Sequence, residues 1–162
     1  GEPHGVVAYG LEALSIMRLE KGHPIVSELD GRMTAREAGM GKMVSQKKDC
    51  IGNVLCRREA MADETGLKMM GFRPVDRSEA LTAGAHFVRT GKTVTLENDE
   101  GYMTSVGYSP TLGHPIGLGF IKRGGERIGE TVRAVDPVRG KDIEVEIVSP
   151  HFYDPEGARL RD

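Results

Sequence analysis

The sequence predicts an α+β protein: a short helical N-terminal segment, then a mainly antiparallel β region that closes as a small barrel or stacks as a sandwich. Three observations carry this reading. Apolar residues recur at helical spacing between Val7 and Glu20. From Leu67 onward the chain breaks into short alternating runs punctuated by glycine turns. Residues 101–121 read as a strand (102–108), a tight Ser-Pro loop and a second strand (116–121).

The elements follow in order. Val7, Leu11 and Leu14 define one apolar face of a helix over residues 7–20, which Ala13, Ile16 and Met17 widen. Such a helix needs neighbours on two sides. Gly22 and Pro24 stop it, and residues 23–31 should run extended into a turn at Asp30-Gly31. Thr34-Ala-Arg-Glu37 fits a capping box and predicts a short helix from Ala35 to about Gly39. A further helix is expected over 53–63, with Val54, Leu55, Ala60 and Met61 available for burial.

The β region starts at a boundary near Thr65-Gly66. Strands are expected over 67–75, 85–89 and 93–97, with a turn at Asn98-Asp99-Glu100-Gly101 before the 102–108 strand. After the 116–121 strand and the Arg123-Gly124-Gly125 turn come strands 131–135 and 143–148, separated by residues 137–140. The alternation in 142–148 predicts one solvated face.

Bulk properties bound the function. A chain of 162 residues holds one domain plus an appendage. The net charge of −2 is dispersed and no basic stripe exists, which argues against nucleic acid as a partner. No apolar run approaches a membrane span. Cys50 and Cys56 fit free thiols in a reducing compartment, hence a cytoplasmic location. The eight methionines fill core gaps or line a surface that a partner covers. The absence of an initiator Met leads us to expect a piece of a longer protein.

Chemistry-bearing motifs are sparse. Gly117-Leu118-Gly119 lacks the third glycine of a dinucleotide loop and reads as packing. Gly39-Met40-Gly41-Lys42 lacks the upstream glycine and following hydroxyl of a phosphate loop. The five histidines do not pair at ligand spacing, so no metal site is expected. Ser109 has no nucleophile elbow around it; its hydroxyl is expected to cap the loop backbone. Thr104 and Ser105 are expected to hydrogen-bond where their strand bulges. Arg18 is either a solvent-facing charge near a helix C-terminus or a guanidinium aimed at an anionic or carbonyl-bearing ligand.

Four ordered blocks carry a resemblance. Residues 101–112 resemble Gly-x-Val-Thr-Ser-Gly-x-x-Ser-Pro-Thr-Leu; residues 10–22 resemble Gly-x-x-Ala-x-x-x-x-Arg-Leu-Glu-x-Gly. Residues 34–41 resemble Thr-Pro-x-Glu-Ala-Gly-Leu-Gly, and 48–60 a Lys-x-Asp-Phe-Ile-Gly block. These are signatures of the folate-dependent aminomethyltransferases, a family that includes the glycine cleavage T-protein and parts of dimethylglycine- and sarcosine-oxidising enzymes. Glu20-Lys21-Gly22 and the tail 149–160 resemble most the α-subunit branch of the heterotetrameric sarcosine oxidases. Leu14 stands where the T-protein usually carries a folate-contacting Arg.

The resemblance implies a terminal six-stranded β-barrel over 66–162 with its tail, and over 1–65 a helical remnant of the preceding domain with a connecting segment. It implies tetrahydrofolate as cofactor, with flavin and NAD bound elsewhere in the parent complex. The partners it implies are the missing N-terminal domains and the other oxidase subunits, with self-association of the isolated piece. It makes Arg18, and Arg159 in the tail, folate-contact candidates, places the catalytic residues outside this stretch, and implies that the piece alone is inactive. Two other readings stay open: a piece of a dimethylglycine oxidase or T-protein, and a non-catalytic interaction barrel.

Overall fold

The computed structural model describes residues 1–45 and 47–161; residues 46 and 162, which the expected 1–65 and 66–162 units include, lie outside the described residues. An α-helix, α1 (Leu11–Lys21), precedes a turn-rich connecting segment whose described residues include one short α-helix, α2 (Glu59–Ala62). Six strands follow: β1 (Leu67–Pro74), β2 (His86–Arg89), β3 (Asp99–Ser109), β4 (His114–Lys122), β5 (Thr131–Asp136) and β6 (Lys141–Val148).

The strands close into one antiparallel barrel in the order β1-β4-β3-β2-β5-β6. β1 completes the ring, because it pairs with β4 through Met69↔Phe120 and with β6 through Phe72↔Ile147. Of the two architectures left open by strand patterning, the barrel is the one formed. Its interior holds Phe72 stacked on Phe87 with centroids 4.0 Å apart, surrounded by Met70, Met103, Ile121, Val145 and Ile147. Each such side chain, fully buried, contributes roughly 1.5–3 kcal/mol. β6 keeps the expected alternation: Val145 and Ile147 are buried, and Glu144 is exposed.

β4 is different: residues 116–121 are buried on both faces. The second cover is α1, whose Leu19 packs with Ile116 and Leu118, flanked by Leu112 and Phe152. Glycines allow the helix and the neighbouring strand to come this close. A Cβ on Gly107 would sit 2.5 Å from Ile16 Cδ1, and one on Gly119 would sit 2.5 Å from the Tyr102 carbonyl. Gly117-Leu118-Gly119 is thus a packing feature.

Several expectations need correction. α1 begins at Leu11, four residues later than the apolar pattern suggested; Val6 and Val7 are exposed, and a first turn without packing does not sustain itself. The stripe read as its buried face points outward: Leu11 is 83% exposed and Leu14 45%. The buried side instead carries Leu19 and Glu20. Residues 26–28 turn, with the Glu28 and Leu29 amides both donating to the Ile25 carbonyl, where an extended run was expected. The Thr34 box forms as read, Glu37 N–H to Thr34 Oγ1 and Thr34 N–H to Glu37 Oε2. It caps a single turn that ends at Gly39 rather than a helix.

The 53–63 helix is broken into a 3-10 turn at Leu55–Arg57 and the four-residue α2. Val54, Leu55 and Met61 are exposed, so no packing compensates the cost of a short helix. Residues 93–97 form no strand. Asn98 Nδ2 donates to the Thr93 carbonyl at 2.9 Å and closes a loop that competes with strand pairing. The turn sits at Leu96–Asn98, and Asp99, Glu100 and Gly101 already belong to β3.

Candidate functional site

Three segments meet where α1 lies on the barrel: α1 itself, the turn after it, and a bulge in β3. The bulge follows from pairing register. Met103 faces Gly119 and Ser105 faces Leu118, which leaves Thr104 as the extra residue. Two successive hydroxyls therefore turn toward the same side, toward Glu28, instead of alternating.

Glu28 is fully buried (0% exposed), and it is the organising group. Its Oε1 lies 2.5 Å from Ser105 Oγ, 2.6 Å from Thr104 Oγ1 and 3.1 Å from Ser27 Oγ. Its Oε2 accepts from the Ile25 N–H at 2.9 Å and from Arg18 Nη1 at 3.1 Å. Burial pushes this carboxyl up, but the hydrogen bonds from Ser105, Thr104 and the Ile25 amide, with the Arg18 charge, outweigh that and hold it below the ordinary glutamate value.

Arg18 is neither solvated nor free. Its Nη2 donates to Ser105 Oγ at 2.7 Å, its side chain is 13% exposed, and its charge is paired with Glu28. Among the described residues, its Nε–H is the buried side-chain polar group without a partner. A buried unmet donor costs about 1–3 kcal/mol, so the guanidinium is not placed for its own satisfaction alone. It sits on the same helical stripe as Leu11 and Leu14, at i, i+3 and i+7. The uncovered apolar stripe thus ends in a fixed guanidinium.

The other candidate, Arg159, lies elsewhere. It is exposed, with its guanidinium 5.3 Å from the Tyr153 ring centroid. The structure brings its segment, not its side chain, to α1. The Phe152 and Tyr153 amides donate to the Glu20 carbonyl, and Lys21 Nζ pairs with Asp154. Arg18 and Arg159 share no bonding partner among those described. Ser109 does cap the loop, accepting from the Leu112 N–H at 3.0 Å, and its hydroxyl also donates to the Glu20 carboxylate. This joins the signature loop to α1.

Sequence reading missed Glu28, Ser27 and the convergence of Thr104 and Ser105 on one carboxylate. The only local signal was a lone acidic residue in an apolar run, Ile25-Val-Ser-Glu-Leu29, which by itself looks like a solvated loop. Among the described residues no His, Cys, Asp and Glu cluster could hold a metal ion, and no helix is long and apolar enough to cross a membrane.

Comparison with known proteins bears on the family and the fold. A family model described as the glycine cleavage T-protein C-terminal barrel domain matches residues 68–154. The sarcosine oxidase subunit alpha of Rhizobium meliloti (strain 1021) is 37% identical over 161 residues, covering 99% of this chain and 16% of that protein. The aminomethyltransferase of Saccharopolyspora erythraea is 33% identical over 156 residues, covering 94% of this chain and 40% of that protein. The crystal structure of glycine cleavage system aminomethyltransferase T from Bartonella henselae superposes with a TM-score of 0.73 at 22% identity, covering 90% of this chain and 39% of that one. That last likeness concerns the fold.

Proposed function

We propose, since this chain belongs to the glycine cleavage T-protein C-terminal barrel family, that it is the C-terminal part of a sarcosine oxidase α subunit. In that parent it forms one wall of a tetrahydrofolate-binding region that captures the one-carbon unit from sarcosine as 5,10-methylenetetrahydrofolate. Residues 66–162 are the barrel with its tail, and 1–65 are the end of a preceding domain plus a connector. Missing N-terminal domains and other oxidase subunits complete the assembly, with flavin and NAD held there, in the cytoplasm.

The observation that carries this reading is the likeness to sarcosine oxidase subunits alpha across nearly the whole chain, although the chain spans only 16% of their length. The geometry supports it in one respect. Arg18 keeps N–H donors beyond those given to Glu28 and Ser105, on the helix whose apolar stripe is uncovered, and this combination would suit a flat ring carrying a carbonyl acceptor. Because Glu28 already neutralises its charge, Arg18 is better suited to a neutral acceptor than to a carboxylate. Arg159 keeps a weaker claim, as a tail residue near the same helix end. Bound tetrahydrofolate supplies the amine nucleophile; this chain orients it and shields it from water, so that proximity replaces diffusion.

The test uses the whole oxidase that contains this segment. Sarcosine turnover with tetrahydrofolate should yield 5,10-methylenetetrahydrofolate in place of free formaldehyde, and Arg18→Ala should move the product back toward formaldehyde. Identical product ratios with and without tetrahydrofolate would refute the reading.

A further inference from the structure

The geometry points to Glu28 as the positioning residue of this site: it fixes the Arg18 guanidinium against the β3 bulge and cancels its charge, so that Arg18 acts as an oriented neutral-acceptor donor. This rests on the folate reading above. An arginine side chain alone has several rotatable bonds and loses rotamer entropy when it is held. Here Nη1 is held by Glu28 and Nη2 by Ser105, so the plane of the guanidinium is set by two anchors. Ser105 is itself held by Glu28 and lies 3.0 Å from Ser27 Oγ. Both anchors therefore converge on one carboxylate. Glu28 has no route to solvent, and so no direct contact with a ligand on the outer face; it acts through Arg18.

The experiment is a double-mutant cycle in the assembled oxidase, reading KM for tetrahydrofolate, kcat and thermal midpoint for each variant. Glu28→Gln keeps the shape and removes the charge. It should raise KM about tenfold, the loss expected for one charge-assisted hydrogen bond, with a much smaller change in kcat. It should also introduce a salt dependence of KM, because Arg18 is then an unpaired cation. In an Arg18→Ala background the same substitution should leave KM where Arg18→Ala put it.

A tenfold rise that persists in the Arg18→Ala background overturns the proposal, since Glu28 would then act by another route. If Arg18→Ala raises KM while Glu28→Gln does not, the positioning role is refuted and the folate reading stands. If Arg18→Ala leaves KM unchanged, the folate reading of Arg18 fails and the proposal fails with it. Should Glu28→Gln prevent assembly, Ser105→Ala removes the Nη2 anchor and one hydrogen bond to Glu28 while leaving the Glu28–Arg18 pair in place. It should raise KM about threefold to tenfold in native Arg18 and not at all without it. No rise with native Arg18 overturns the proposal.

Discussion

At the scale of single residues, two glycines around α1 make opposite predictions. Gly22 closes the helix with φ 73°, and its amide and that of His23 donate to the Leu19 and Arg18 carbonyls. A Cβ there would lie 2.3 Å from the Pro150 carbonyl oxygen. Gly22→Ala should therefore lower stability by about 1–3 kcal/mol in urea titrations. Gly10 has φ −89° and open space around it. Gly10 is the N-cap of α1, so Gly10→Ser should be neutral or slightly stabilising in the same assay.

Glu28 gives a prediction in pH. Its folded carboxyl titrates below its unfolded value, so its contribution is present above the unfolded range and is lost as pH falls through the lower folded value. Urea midpoints should fall between neutral pH and about pH 3, and Glu28→Gln should flatten that part of the profile. A profile of unchanged slope in the variant would show that other carboxylates, such as Glu130 or Glu146, carry the acid sensitivity.

At the scale of elements, α1 is held from two directions. The barrel grips it through Leu19, through Ile16 over Gly107 and through the Arg18 network. The tail after β6 grips its C-terminus through Phe152, Tyr153, Asp154 and a His151 Nδ1 contact with the Lys21 carbonyl. Removing residues 150–162 should leave the strands intact by circular dichroism while amide exchange accelerates over 11–21. Unchanged protection in α1 would mean that the barrel contacts suffice.

Elements whose pattern was enforced by burial were legible in the sequence. The barrel strands appear within a few residues of their expected limits, because alternation or full apolarity reflects a core on one side or two. The 93–97 strand and the 53–63 helix were misread for the converse reason. Thr93-Val-Thr95 and Val54-Leu55 have the right residue types, but Val94, Val54 and Leu55 stay exposed and outside the core that would hold them in register. The site was half legible. Arg18 stood out as a charge on an apolar helix, whereas Glu28 depends on a β3 bulge that sets Thr104 and Ser105 side by side, a register detail that composition does not encode.

At the scale of the whole molecule, the uncovered stripe of α1 is the main liability. Leu11, Leu14 and Met17 are all exposed, and a parent protein would supply a cover. The isolated chain should self-associate by light scattering in a concentration-dependent way, and Leu11→Gln with Leu14→Gln should reduce that association. A monodisperse monomer at high concentration would count against a buried role for this face. Calorimetric titration of the isolated chain with tetrahydrofolate should show very weak binding or none, because a single wall offers few of the contacts that tight binding requires. Submicromolar affinity would mean that this chain holds a complete pocket.

The pairing of β1 with both β4 and β6 limits how the chain can associate. A ring of six strands leaves no whole strand with a free edge; only the β3–β4 tip runs past its β2 and β1 neighbours. Contact between copies should run mainly through side chains. It should therefore reverse on dilution and bind no amyloid dye, and the chain could lose its neighbours without becoming a seed for fibres.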